Sequence, residues 1–218
     1  MSPLRTRFVG GVFVVSVALL VMLTGPLLLF NPWFVSFAQQ RHDVPVLLAT
    51  TSSETERMTT AMLGDLFLGG EFRVSRTGGG EPILDPSERS HMQDVGGLVR
   101  MLALIAAAAL VLAVLAWRRL RPDRELRGRL LLAGAATVGA AALLLGAFFA
   151  LAFDAAFAAF HALFFEAGTW QFGPDSNLLR FFPQPFWFEM ALAAGATIVL
   201  AAAIAALLAR RDLRAAAP

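Results

Sequence analysis

The sequence predicts an all-α, polytopic membrane protein: four transmembrane helices with a partly helical extracytoplasmic cap. Three observations predict it. Of 218 residues, 57% are hydrophobic and only 16% charged, which sets the chain apart from an average soluble domain. The charge is unevenly spread, absent from long windows and dense between them. Four of those windows are long enough to cross a hydrocarbon core of about 30 Å, which takes roughly 20 helical residues.

The first window covers residues 8–30 and holds no charge. Its length exceeds the roughly 7–15 residues of a signal-peptide core, and no small-x-small cleavage site follows, so it is expected to stay as a membrane helix. Gly10, Gly11, Gly25 and Pro26 inside it need neighbouring helices to cover the backbone. The second window covers 95–117, with Arg100 near its outer end. The third is assigned to 130–153, but apolar character continues to Phe165, interrupted by Asp154 and His161. One helix from Leu130 to Phe165 would be about 54 Å long and would protrude from the bilayer. The fourth covers 186–209, with Glu189 near its start. Ala and Gly crowd the last two windows. Small residues let membrane helices approach closely where lipid offers no hydrophobic drive. Residues 1–218 are accordingly expected to form a single integral membrane domain.

Orientation follows from arginine, since the chain has no lysine. Arg5 and Arg7 precede the first window. Arg118, Arg119, Arg121, Arg124, Arg127 and Arg129 fill the gap between the second and third, and Arg210, Arg211 and Arg214 follow the fourth. All three clusters fall on one side of a four-span arrangement, which the positive-inside rule makes cytoplasmic. Both termini are then cytoplasmic, and segments 31–94 and 166–185 are extracytoplasmic. In the longer segment Ser53 and Glu56 have capping-box spacing. Met58, Met62, Leu63, Leu66 and Phe67 follow at helical spacing until Gly69-Gly70. This predicts an amphipathic helix on the outer interface or on top of the bundle.

The absence of Cys excludes disulfides, thiolate catalysis and Cys-ligated metals. A net charge of +2 gives no case for nucleic acid. Titratable chemistry therefore falls to the three histidines, His42, His91 and His161, all expected on the outer side. Asp85-Pro86-Ser87-Glu88 has a cap residue, proline at the first helical position and Glu at the third. A helix from Pro86 then puts Glu88, His91, Asp94 and Val95 on one face. Asp154 and His161 share a face of the third helix, beside Phe148, Phe149, Phe153, Phe157, Phe160, Phe164 and Phe165. His91 lies about 40 Å along its helix from Arg118, and His161 about 48 Å from Arg129. The two histidines are thus expected at similar outer depth, where ionisable groups are functional candidates. Ser87, His91 and Asp94 have the spacing of a triad, but a serine in a first helical turn is usually solvated. Glu88, His91 and His161 do not have the spacing of a known zinc motif, so no metal is expected.

Two segments carry a family resemblance. Ser87-Glu88-Arg89-Ser90-His91-Met92-Gln93-Asp94-Val95 reads as E-x-x-H-M-x-D-V. Phe160-His161-Ala162-Leu163-Phe164-Phe165, followed by Trp170-Gln171-Phe172 and Leu178-Leu179-Arg180-Phe181-Phe182-Pro183, reads as F-H-x-x-F-F…W-x-F…P. With four spans and a large loop after the first, the chain resembles the lipoprotein intramolecular transacylase (Lit) family of bacterial membrane proteins. The chain has no Tyr, so any tyrosine role in a relative is vacant or replaced here.

The resemblance implies acyl transfer within a diacylglyceryl-modified lipoprotein at the outer face of the bacterial cytoplasmic membrane. One O-linked chain moves to the α-amino group of the N-terminal Cys and leaves the lyso form. No cofactor is implied. His91 and His161 are the expected general base and proton donor, in either order. Glu88 and Asp94 are candidates to orient His91. Asp154, Trp170, Asn177 and Arg180 are candidates for substrate contact or orientation. The implied partners are the lipoprotein and membrane lipid. The alternatives are another outer-leaflet lipid-modifying enzyme using the same histidine pair, or a non-catalytic membrane assembly partner; wide separation of the two histidines would favour the latter.

Overall fold

The computed structural model describes residues 2–216, and every regular element among them is a helix. The residues fall into two compact units.

The first unit comprises Met1–Leu27, Leu102–Ala147 and Ala193–Pro218. It draws on α1 (Pro3–Leu29), α5 (Pro86–Leu120), α6 (Arg124–Leu151) and α9 (Gln184–Ala216). These four helices, of 27, 35, 28 and 33 residues, are long and apolar enough to cross a membrane. The chain is therefore a multi-pass membrane protein; the windows at 95–117 and 186–209 lie within α5 and α9, while those at 8–30 and 130–153 run one and two residues past the ends of α1 and α6. Their inner faces are small and tightly fitted. A Cβ on Gly25 would come within 2.6 Å of the Ala194 carbonyl oxygen, so α1 and α9 pack backbone to backbone where only glycine fits. Phe13, Ala116, Leu120, Leu131, Ala135, Ala205 and Ala209 form a buried cluster, while Leu104, Leu144 and Leu207 face outward as lipid-facing residues should. Arg127 departs from its expected place as a free loop arginine. It is 5% exposed, donates to both oxygens of Asp212 at 2.6 and 2.8 Å and lies 4.1 Å above the Trp117 ring.

The second unit comprises Leu28–Met101 and Phe148–Leu192. It contains α2 (Pro32–Arg41), α3 (Val44–Leu47), α4 (Ser52–Leu68), α7 (Phe153–Phe164) and α8 (Asn177–Phe181). Asn31 caps α2 by accepting from the Phe34 N–H at 3.0 Å, with Pro32 at the first helical position. The helix anticipated after Ser53 is α4, but it starts earlier. Thr51, in extended conformation, accepts the Glu54 N–H at 3.2 Å, and Ser53 is already helical. Gly69 closes α4. The apolar stripe Met58, Met62, Leu63 and Leu66 packs with Val35, Ala38, Phe72, Leu84, Phe181 and Phe186, so protein rather than lipid covers it. Gln39, wholly buried, pins this core: its amide donates to the Phe181 carbonyl at 3.1 Å and accepts from the Thr59 hydroxyl at 2.7 Å.

The third helix is not continuous to Phe165. It breaks at Ala152, whose φ of −141° and ψ of 51° lie outside the helical range, and α7 starts at Phe153. The sequence offers no proline, glycine or capping side chain at that point. Asp154 therefore stands in the first turn of a new helix, where its charge complements the macrodipole, and it accepts from the Gln184 side-chain amide.

Candidate active site

The site is assembled in the second unit from α5, α7 and the segment leading to α8. Asp85 starts α5 as the sequence suggested: its carboxylate accepts the Glu88 N–H at 2.9 Å and the Ser87 N–H and hydroxyl at 2.7 Å each. Ser87 is thereby an exposed first-turn residue whose hydroxyl is held by the Asp85 cap, away from nucleophile duty. Glu88 is 1% exposed, and both its oxygens are occupied. One accepts the Asp85 N–H at 2.9 Å. The other accepts the Leu178 N–H at 2.9 Å and the Ser176 hydroxyl. Glu88 thus ties the first turn of α5 to the start of α8 and does not hydrogen-bond to His91. Ser176 went unremarked in the sequence, although a serine before Asn177-Leu178-Leu179 is an ordinary helix cap, and its hydroxyl does accept the Leu179 N–H.

One turn further, His91 is 6% exposed, and its Nδ1 is buried without a hydrogen-bond partner. Its ring centroid lies 6.0 Å from that of His161, with the planes 26° apart. Phe165 and Phe172 meet it edge-on at 4.9 and 5.7 Å. His91 stands in the polar N-terminal part of α5, before the apolar run that crosses the membrane. Desolvation, assisted by His161, holds its pKa down at about 4, and Asp94 opposes the drop. Asp94 itself is exposed.

His161 is fixed on the other side. Its Nδ1 lies 2.8 Å from the Phe157 carbonyl oxygen, one turn earlier in α7. A carbonyl only accepts, so Nδ1 carries the proton and Nε2 of the neutral ring presents a lone pair. Phe157 at 4.1 Å, Trp170 at 4.8 Å, Phe165 at 5.5 Å and Phe160 at 5.6 Å surround the ring. Burial lowers its pKa below the usual histidine value, and the bond to Phe157 works the other way. Both imidazoles are therefore kept neutral.

The structure brings His91, His161 and Trp170 into one aromatic cluster and leaves the other candidates around it. Asn177 donates to the Ile83 carbonyl at 2.7 Å and accepts from Arg180 at 3.3 Å; Arg180 also pairs with Asp175 at 3.6 Å. Asp154 holds Gln184. His42 is engaged elsewhere, 2.8 Å from Glu189. Among the described residues no group of three or more His, Asp or Glu is placed to hold a metal. A neutral histidine pair in an apolar setting suits proton transfer, and the bound Nδ1 of His161 leaves one defined nitrogen for it.

A family model described as "Lipoprotein intramolecular transacylase Lit" matches residues 10–187. Three solved structures of the membrane-integral lipoprotein intramolecular transacylase Lit from Bacillus cereus share the fold. One superposes with a TM-score of 0.83 at 20% identity, covering 97% of each chain. Two of that protein's single-histidine variants, to arginine and to alanine, match with TM-scores of 0.78 and 0.79 at 19% identity, covering 97% of this chain and 93% and 94% of theirs. Among curated proteins nothing matches.

Proposed function

The chain belongs to the lipoprotein intramolecular transacylase Lit family, and from that premise we propose that its histidine pair moves an acyl chain within a lipoprotein. The protein is an acyltransferase. It takes an O-linked chain from the diacylglyceryl group and places it on the α-amino group of the N-terminal Cys, giving the lyso form. His161 is the general base, because its Nδ1 is committed to Phe157 and its Nε2 is left to accept a proton. His91, facing it at 6.0 Å, orients the reacting groups and passes the proton toward the leaving glycerol oxygen. That pairing of a buried and a half-buried ring, drawn from separate motifs, is the observation that carries the assignment.

The reaction needs an unprotonated amine and an ester, and both are supplied by the substrate itself. Transfer within one molecule has the entropy advantage of reactants already joined. Neutral imidazoles in an apolar cluster can take up the ammonium proton without first losing one of their own. Glu88 holds the α5–α8 connection that positions His91. Arg180, Asn177 and Asp154, which lie in the same unit as the histidine cluster, are assigned to contact with the lipoprotein or its lipid. We assign the site to the outer face of the bacterial membrane and both termini to the cytoplasm. The exposed arginines of the first turn of α1, the α5–α6 connection and the end of α9 support this orientation. Because α1, α5, α6 and α9 each give residues to both units, residues 1–218 are read as one integral membrane domain.

The test is mass spectrometry of lipoprotein N-termini in a bacterium whose lipoproteins otherwise carry a diacylglyceryl Cys with a free amine. Producing this chain should generate N-acylated, singly O-acylated Cys with total acyl mass unchanged. His91→Ala and His161→Ala should each abolish the product at similar protein level, and His42→Ala should not. Acyl chains arriving from labelled phospholipid, or indifference to both histidines, would overturn the reading.

A further inference from the structure

Trp170 departs from the ordinary tryptophan of a membrane interface. In that role the ring lies among lipid headgroups and its N–H meets water or a headgroup oxygen. Here Nε1 is buried and has no hydrogen-bond partner in the protein. Indole nitrogen is a donor only, and buried donors without acceptors are rare because the desolvation is uncompensated. The ring lies 4.8 Å from that of His161, tilted by 36°, so the ring that carries the unmatched donor packs against the ring of the proposed base.

The chain also holds this tryptophan in place. Thr169 turns back on Glu166, its N–H at 3.2 Å and its hydroxyl at 2.9 Å from the Glu166 carbonyl oxygen. Gly168 adopts a φ of +89°, a conformation open to glycine and strained for other residues. The Gly168 N–H donates to the Gln171 side chain at 3.0 Å. The residues on both sides of Trp170 are thus fixed by a closed turn, and beyond it Phe172 packs against His91.

We infer that the Trp170 indole N–H is the donor that holds the acyl carbonyl oxygen of the substrate and stabilises the oxyanion during transfer. This rests on the acyl-transfer reading above. As the amine nitrogen bonds to the carbonyl carbon, the π pair moves onto the carbonyl oxygen and meets the indole N–H. The amine proton goes to Nε2 of His161. Collapse of the tetrahedral intermediate restores the carbonyl and breaks its bond to the glycerol oxygen, which receives the proton taken up at His161, passed on through His91, and leaves as the free hydroxyl while both imidazoles return to their neutral forms. No external reactant enters. A donor fixed in place before reaction, in an apolar surround, is worth more than the same donor in water.

The experiment removes the N–H and keeps the ring. Trp170 is replaced by 3-benzothienylalanine, which has sulfur in place of N–H, and in parallel by phenylalanine (W170F). The purified full-length chain is assayed on a synthetic diacylglyceryl-Cys peptide. Loss of one oxyanion donor should lower kcat about 100- to 1,000-fold, with KM changed by less than about threefold. Affinity for a phosphonate analogue, whose charged tetrahedral oxygen imitates the oxyanion, should fall in parallel, and Tm should stay near that of the unsubstituted chain. A benzothienyl variant that retains kcat, or that binds the phosphonate as tightly as Trp170, overturns the inference while the acyl-transfer reading stands. So does a rise in KM or a loss of Tm that accounts for the whole defect. An unsubstituted chain that leaves the peptide unchanged overturns both.

Discussion

Replacing Glu88 separates a strut from a catalyst. Its carboxylate accepts two backbone N–H groups, of Asp85 and Leu178, and the Ser176 hydroxyl, at a position 1% exposed. In Glu88→Gln the retained carbonyl oxygen can serve Leu178 and Ser176, but the new NH2 group then confronts the Asp85 N–H, donor against donor. One orphaned buried donor costs about 1–3 kcal/mol. In Glu88→Ala both backbone donors are orphaned while the Ser176 hydroxyl can rotate to another acceptor, so the loss is about 2–6 kcal/mol before any cavity effect. The assay is denaturant unfolding of the purified chain in mixed micelles, with acyl transfer measured on the folded fraction. Both variants should lose stability in the order Gln then Ala. The folded Gln variant should retain most of its turnover, because the carboxylate bonds neither histidine. A Gln variant as stable as the parent yet inert would refute the strut and place the Glu88 charge in the chemistry.

Protonation of His91 should weaken the fold in acid. Burial depresses its pKa from the usual 6.5 to about 4, so the folded state disfavours the proton that the unfolded state accepts. Stability is full above about pH 6.5 and drains as pH falls toward 4, by up to about 3 kcal/mol at 1.36 kcal/mol per unit. His91→Phe should flatten that part of the Tm-versus-pH curve, and an unchanged slope would count against a buried neutral imidazole. In the first unit, Asp212→Ala leaves the buried Arg127 guanidinium unpaired, and Tm should fall by the equivalent of about 3 kcal/mol. The double change with Arg127→Met should recover most of that loss, since the stranded charge is then gone.

The four spans were legible because lipid imposes a length and forbids charge, and both constraints are written locally in the chain. His91 and His161 were legible as a pair because each sits in a segment with distinctive neighbours; the helical rise that put them at like depth was counted along a third helix that breaks at Ala152. The break at Ala152 was not, since no residue there interrupts a helix by its own chemistry and Phe-rich sequence on either side reads as continuous. The partner of Glu88 was hidden for another reason: its acceptors face Ser176 and Leu178, far along the chain, and no spacing rule reaches that distance. The α2 helix, in contrast, carried readable signals in Asn31 and Pro32 that the length of the apolar window before it obscured. Trp170 was named as a candidate for contact with substrate, but only the geometry distinguishes its unsatisfied N–H from that of an interface anchor.

The stacking of Phe157, His161 and Phe165 at four-residue intervals constrains where the chain can change in length. Each residue added to or taken from α7 turns everything beyond it by about 100° around the axis. One insertion between Phe157 and His161 would carry the imidazole off the stripe it shares with Phe157 and away from the carbonyl that fixes its proton. Ala152 obeys no helical register, so a residue inserted beside it can be taken up by the joint with α7 left intact, as it can in the open turn of Gly78, Gly79 and Gly80. Insertions and deletions among descendants of this sequence should therefore collect at the joint and the turn and spare the twelve residues of α7.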